Sequence, residues 1–209
     1  MKNLKKIIVA ASLCAAIGAT AIAGTLAYFT DTKEAVNTFT VGDLGIVLDE
    51  PNWVEQNALD VVPGRTVAKD PGVTIEAGSV ASYVRVVVTM PKVVYDYSNF
   101  YRENADALVL FQNQSEYVTV NEAASDFESD TVKIVLDYGM MSATTEATDL
   151  GDIFTDVTFS EKITNADAAL IGSDEWDIGI TAYATQAEGF EIAGADAAFK
   201  AAFPTVFGE

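Results

Sequence analysis

VASYVRVVVTM, residues Val80 to Met90, decides the fold. In an extended chain Val84, Val86, Val88 and Met90 fall on one side, and Tyr83, Arg85, Val87 and Thr89 on the other. A period of two, dense in β-branched residues, reads as a half-buried strand rather than a helix face. The same alternation recurs further along. Val132, Ile134, Leu136 and Tyr138 interleave with Lys133, Val135 and Asp137. DVTFS (Asp156 to Ser160) and DIGITAYAT (Asp177 to Thr185) repeat it, and Tyr117 to Val120 is a shorter candidate. Turn formers separate these runs: Pro63-Gly64, Asp70-Pro71-Gly72, Ala77-Gly78-Ser79, Met90-Pro91 and Tyr138-Gly139.

Helical signals are sparse. NFYRENADALVL (Asn99 to Leu110) suits a short helix between strands, and Met140 to Ala147 reads either way. GADAAFKAAF (Gly194 to Phe203) is Ala-rich and halted by Pro204, so a short C-terminal helix is expected there. Many short strands between turns predict an all-β fold. The expectation is a jelly-roll-like antiparallel β sandwich with short helical insertions, a single domain over residues 28–209.

A different kind of sequence stands in front of that domain. Lys2, Lys5 and Lys6 are followed by no charged residue until Asp31, and Ile7 to Ala23 is dominated by Ala, Ile, Leu and Val. A basic n-region, an apolar h-region and the A-x-A-like step Thr25-Leu26-Ala27 predict a signal helix over residues 1–27, cut between Ala27 and Tyr28. The other reading is an uncleaved transmembrane helix, since an uncharged run of this length spans about 30 Å of hydrocarbon. Gly18, Thr20, Gly24 and Thr25 dilute the run and favour the cleaved leader.

Cleavage removes three lysines from a chain whose net charge is already −19, and it removes Cys14, the only cysteine. The chain has no histidine. A secreted domain of about 180 residues without disulfides is held by core packing and backbone pairing, and at that size it buries roughly 70% of its unfolded surface. Apolar content of 50% supplies the material. So acidic a chain is not expected to bind nucleic acid, nor anionic membrane after cleavage.

The same residues restrict the chemistry. A zinc protease draws on His, Cys or carboxylate ligands, typically through H-E-x-x-H, and a Ser-His-Asp triad needs its imidazole. With neither His nor Cys after the leader, neither site is expected, and no catalytic residue or cofactor is assigned. Glycosidase chemistry needs only two carboxylates, and nothing in the sequence singles out a pair. Asp149, Asp152 and Asp156 are weak Ca²⁺ candidates, as is the Asp126, Glu128, Asp130 cluster, but neither has the D-x-D-x-D-G spacing and a solvated acidic loop is the plainer reading. Tyr83, Tyr95, Tyr97, Phe100 and Tyr101, with Trp53 and Trp176, read as packing residues rather than as a glycan-binding face. Arg85, opposite the valines, is expected to pair with a carboxylate across the sheet.

The start of the mature chain carries a motif. Ala27-Tyr28-Phe29-Thr30-Asp31 is followed by NTFTVGDLGI, Asn37 to Ile46. This resembles the TasA/camelysin family of secreted Gram-positive proteins, with its A-(Y/F)-F-(S/T/N)-D step and N-x-F-x-x-G-x-L pattern. Ala77 to Val86 (AGSVASYVRV) echoes the family's N-x-G-S-x-x-A-Y-V-R segment, with Ile75-Glu76 where its Asn usually stands, and Trp176 to Phe190 is similar to its penultimate strand. Tyr95 to Ser129 matches nothing in that pattern. The resemblance implies a leader cut by a SipW-type signal peptidase and a secreted β sandwich. It further implies assembly into extracellular fibres of a biofilm matrix, with itself and possibly other matrix proteins as partners. Some members carry a metalloprotease label, which the missing His and Cys do not support.

Residues 28–48 are therefore the candidate assembly segment. Phe39 and Val41 share one face, Gly42-Asp43 accommodates a bend, and Leu44, Ile46 and Leu48 continue the apolar side. Either this strand, about Thr38 to Leu48, pairs with a neighbouring subunit, or it is the first strand of its own sandwich and the leader Tyr28 to Val36 makes the contact. A monomeric surface adhesin is the runner-up function. The end, AFPTVFGE, shows no sortase-like motif and no hydrophobic tail, so anchoring after cleavage would rest on a partner.

Overall fold

The computed structural model describes residues 30–33, 44–53, 62–171 and 177–208. Eleven strands are described: β1 (Thr30–Lys33), β2 (Ile46–Asp49), β3 (Thr66–Ala68), β4 (Gly72–Ile75), β5 (Ser82–Pro91), β6 (Val109–Gln112), β7 (Thr119–Val120), β8 (Thr131–Met141), β9 (Thr148–Asp152), β10 (Asp156–Phe159) and β11 (Gly179–Gln186). Four short helices accompany them: α1 (Lys92–Asp96), α2 (Asn165–Ile171), α3 (Gly194–Ala202) and α4 (Pro204–Phe207). The chain is all-β with short helical insertions, as its periodicity predicts.

The strands form three sheets, ordered β1-β11-β5-β8-β7, β3-β10-β6 and β2-β4-β9, with every strand pairing antiparallel. One core joins them. Val84, Val86, Val88 and Met90 of β5 pack with Val132, Ile134 and Leu136 of β8 and with Ala182 and Ala184 of β11. Against this face lie Ile46, Val73 and Ile75 of the β2-β4-β9 sheet, and Val67, Val109, Phe111, Val157 and Phe159 of the β3-β10-β6 sheet. Phe100, Phe111 and Phe154 meet at 4.6–5.9 Å between ring centroids, tilted or edge-on, where the two smaller sheets adjoin.

Sequence periodicity makes β5 half-buried, and here the structure differs. Ser82 to Val88 are all buried, so both faces of the strand are covered. The outer face, with Tyr83, Arg85 and Val87, packs with Val135, Tyr183, Ala187, Ala198, Phe199 and Phe207 in a second apolar cluster. The C-terminal helices thus form a cap over the outside of the large sheet. Alternation reports only that two faces differ, and a cap donated from a hundred residues away leaves no trace in the strand's own pattern.

Between Val84↔Gly139 and Arg85↔Asp137 the register slips by one residue, leaving Tyr138 as the extra residue of a β-bulge. Gly139 takes φ +83°, a conformation that glycine enters without a Cβ clash. The helix expected at Asn99 to Leu110 is not formed; that stretch is turns leading into β6, and the helix lies earlier as α1, whose N-cap is Pro91. Asn99 is instead committed to the backbone of Phe111, donating to its carbonyl at 3.3 Å and accepting from its N–H at 2.7 Å.

Candidate functional site

β11 is the strand on which a functional edge can be built. It pairs with β5 along its whole length, from Gly179↔Thr89 to Gln186↔Ser82. Gly179 permits close approach at the start: a Cβ there would lie 2.6 Å from Thr89 Oγ1. On its other edge β11 holds β1 in the register Thr30↔Thr185, Asp31↔Ala184, Thr32↔Tyr183 and Lys33↔Ala182. Four of the eight β11 residues therefore lie beyond the described β1 pairing. The core-facing residues of the half that does pair with β1 are Ala182 and Ala184, both fully buried and both small.

The cap above β11 and β5 follows from its own sequence. Gly194, at φ +81°, opens α3; Asp196 lies in its first turn and Lys200 in its last, matching the helix dipole. Pro204 ends α3 and begins α4. Phe199 and Phe203 are four residues apart on one face, their rings 6.2 Å apart, and Phe207 stands 5.3 Å from Phe199.

Arg85 pins this cap. Its side chain is 1% exposed. Its Nε donates to Asp137 Oδ1 at 2.5 Å, and its Nη2 to Asp137 Oδ2 at 2.9 Å and to Asp196 Oδ1 at 2.6 Å. Asn121 Nδ2 donates to the same two carboxylates, at 2.9 Å and 3.0 Å. The guanidinium lies over the rings of Phe199 and Phe207, at 4.3 Å and 5.0 Å. Burial works against the Arg85 charge, but the hydrogen bonds it donates to Asp137 and Asp196 outweigh it and its pKa is raised above the ordinary value. Arg85 in turn holds the Asp196 carboxyl below its usual range. Asp137 is the β8 residue opposite Arg85, so the carboxylate expected across the sheet is present. The second partner, from α3, was not legible. A lone cation in the middle of an apolar strand flags a buried pair, yet nothing local says which helix supplies the other half.

The Ca²⁺ candidates are divided. Asp149 and Asp152 lie on β9, while Asp156 begins β10 in another sheet and accepts a bond from Thr155 Oγ1 at 2.7 Å. Asp152 gathers instead with Asp49 and Asp70. Gly72 pairs with Asp49 on one side and Asp152 on the other, and a Cβ on it would lie 2.9 Å from Asp152 Oδ1 and 3.4 Å from Asp49 Oδ1. Partial burial, then the charges of Asp70, Asp149 and Asp49, push the Asp152 pKa up. Asp70 is already held by Asn52, through its backbone N–H at 3.0 Å and Nδ2 at 2.7 Å. Among the described residues no three His, Cys, Asp or Glu side chains gather as a metal centre requires. Asp126 closes its own loop, accepting from Ser129 Oγ and from the backbone N–H groups of Glu128 and Ser129.

The expected cleavage residues Ala27 and Tyr28 lie outside the described residues, as do Phe39 and Val41 of the candidate assembly strand. Leu44 and Ile46 are buried in the core and Leu48 packs against it, with Ile46–Asp49 paired to β4 of the same chain. Phe100 belongs to the sandwich core, Tyr95, Tyr97 and Tyr101 pack against it partly buried, and Tyr83 belongs to the outer cluster. Trp53 departs from its expected core position: it is 36% exposed, with the Lys69 ammonium 4.6 Å above its ring and Lys69 itself bonded to Glu50 at 2.9 Å. Trp176 lies outside the described residues.

Comparison with known proteins gives one match. No curated protein and no solved structure matches the chain. The family model described as camelysin metallo-endopeptidase matches residues 3–106. That span includes Ala27 to Asp31, Asn37 to Ile46 and Ala77 to Val86, three of the stretches on which the resemblance to the TasA/camelysin family rests; the fourth, Trp176 to Phe190, lies outside it. Over this N-terminal stretch, just under half of its length, the chain matches the camelysin family.

Proposed function

We propose that the chain is an exported structural subunit that forms extracellular fibres by strand addition once its leader has been removed. The observation that carries the reading is the position of β1. It starts three residues after the expected cut between Ala27 and Tyr28, and it lies at the edge of the large sheet, on β11. A short terminal edge strand exchanges between identical copies at little cost, because the same pairings form in either arrangement. Of the two candidate strands, β1 is the better donor. Removing Ile46–Asp49 would take a buried residue and a paired strand out of the subunit's own core.

Export by a SipW-type signal peptidase, an extracellular matrix location, and partners that are other copies of this chain or further matrix proteins follow from the same reading. So does a non-enzymatic role. The metallo-endopeptidase in the family's description calls for ligands such as imidazole and thiolate, and the sequence after the leader has neither. Processing acts as a gate, since a strand tethered to an uncut leader is held at the membrane.

The test is N-terminal sequencing of the secreted protein, with negative-stain microscopy of the same sample. A start at Tyr28 together with filaments is expected. A chain still beginning at Met1 in the membrane fraction overturns it in favour of a tethered surface domain, and correct processing with only monomer overturns the fibre reading in favour of an adhesin. With so large an excess of acidic residues, filament yield in low salt is expected to rise as pH falls from about 8 to about 4.5.

A further inference from the structure

β11 has two neighbours that are far apart in sequence, a strand on its open edge and the helical cap on its outer face. They meet at Tyr183. Its backbone pairs with Arg85 of β5 on one side and with Thr32 of β1 on the other. Its ring is nearly buried, edge-on to Phe203 at 5.1 Å and to Phe207 at 5.3 Å. Behind those rings stands Phe199, over which the Arg85 guanidinium lies, and Arg85 is fixed by Asp137 and Asp196. The Tyr183 ring is therefore packed against the cap beside any residue paired with it across the edge. Directly opposed residues of an antiparallel pair have their Cβ atoms only about 4.5–5.5 Å apart.

We propose that the cap is the selectivity wall of the strand-accepting edge: Tyr183, backed by Phe203 and Phe207, sets the size of the residue that an incoming strand places at the position of Thr32. The incoming strand is the Thr30–Lys33 segment of a second copy, because this edge already holds that segment of the same chain in a defined register. The inference rests on the strand-addition reading above. A short residue fits beside a fixed aromatic ring, and a large one does not. The wall thus passes this chain's own strand and rejects strands with a bulky residue at that position. Phe203 is the residue through which to test this, since it is only half-buried, touches Tyr183, and takes no part in the Arg85 ion pairs.

The experiment compares four versions of the full processed chain: unaltered, Thr32→Trp, Phe203→Ala, and the two combined. Assembly is followed by light scattering and negative-stain microscopy, and folding by near-UV circular dichroism. Thr32→Trp is expected to slow assembly about tenfold or more through overpacking. Phe203→Ala is expected to slow it about two- to tenfold through loss of one aromatic pair. The combined variant is expected to assemble faster than Thr32→Trp alone, because the shortened wall admits the larger side chain. Thr32→Trp assembling at the unaltered rate overturns the inference, and so does a combined variant no faster than Thr32→Trp. If Phe203→Ala loses the near-UV signal of the cap, Phe203→Leu takes its place with the same expected order. A correctly processed, unaltered chain that forms no filament rejects strand addition itself, which separates that failure from failure of the wall.

Discussion

On its inner face the five-stranded sheet buries Val84, Val86, Val88, Ile134 and Leu136 against the aliphatic and aromatic side chains of the two smaller sheets. On its outer face it buries Tyr83, Tyr183 and one cation, Arg85, beneath helices from the end of the chain. The inner contact is apolar and indifferent to pH. The outer contact is aromatic and centred on a charge with two carboxylate partners, so it responds to ionisation. The inner face makes the domain; the outer face attaches a cap beside the edge that carries β1.

This contrast is broken most directly from the inside. Phe154 is fully buried and meets both Phe100 and Phe111 edge-on. Phe154→Ala is expected to cost about 3–5 kcal/mol by urea unfolding, from lost transfer energy and the cavity left behind. The loss should register equally in far-UV and near-UV signals, because the sandwich unfolds as one unit. A loss confined to the near-UV signal would mean that the smaller sheets are not part of the same cooperative core.

Arg85→Met tests the outer face. It leaves Asp137 and Asp196 facing each other without their cation, with only Asn121 still donating to both. A cost of about 3 kcal/mol is expected, in the range for breaking one side of a buried pair. The aromatic near-UV signal should fall first, as the cap loosens while the sandwich persists. Unfolding with the signature of Phe154→Ala would show that the cap and the sandwich are one unit.

Ionisation sharpens the same point. Asp196 has its pKa lowered by Arg85, so its contribution is present above the ordinary value of 3.8 and is lost as pH falls through the depressed folded value. Its side chain is 58% exposed, so solvent screening holds that contribution to about 1 kcal/mol or less. Asp196→Asn is expected to flatten the pH dependence of the thermal midpoint in that acid window and to leave it nearly unchanged above pH 6. A variant whose midpoint follows the parent through the acid window would mean that the Arg85–Asp196 contact does not hold the cap.

Much of the sheet was legible. Val80 to Met90, Val132 to Tyr138, Asp156 to Ser160 and Asp177 to Thr185 overlap β5, β8, β10 and β11, because β-branched alternation is written residue by residue. Gly194 to Phe203 likewise foretold α3, which ends at Ala202. The helix α2, absent from the periodicity, has its cap written in the sequence: Thr164 Oγ1 accepts from the Asp167 N–H at 3.2 Å, and Asp167 Oδ2 accepts from the Thr164 N–H at 3.0 Å. β3 has only three residues and β9, TDLGD, a single large apolar one, so neither shows a period. Asp149, Asp152 and Asp156 are neighbours along the chain, whereas strand pairing sends Asp156 to one sheet and brings Asp152 beside Asp49 in another. Cross-strand proximity of that kind is a property of topology.

Those carboxylates supply the smallest and most discriminating effect. Asp152 has a raised pKa, from partial burial first and then from Asp70, Asp149 and Asp49. Its stabilising contribution is therefore fully present below the unfolded value of 3.8 and is lost as pH rises through the raised folded value. At neutral pH the ionised group opposes folding. Because it is mostly exposed, the opposition is well under about 1 kcal/mol. Asp152→Asn should accordingly raise the urea midpoint slightly at pH 7, more in low salt than in high salt, since screening already weakens the repulsion in the parent. The gain should vanish below pH 3.5, where the parent carboxyl is protonated. A fall in the midpoint at pH 7 would reverse the assignment, making the Asp152 charge an asset to the fold and placing a compensating positive group near Gly72. Unlike the outer face, where Arg85 matches its carboxylates, this end of the β2-β4-β9 sheet brings Asp152 together with the charges of Asp49, Asp70 and Asp149.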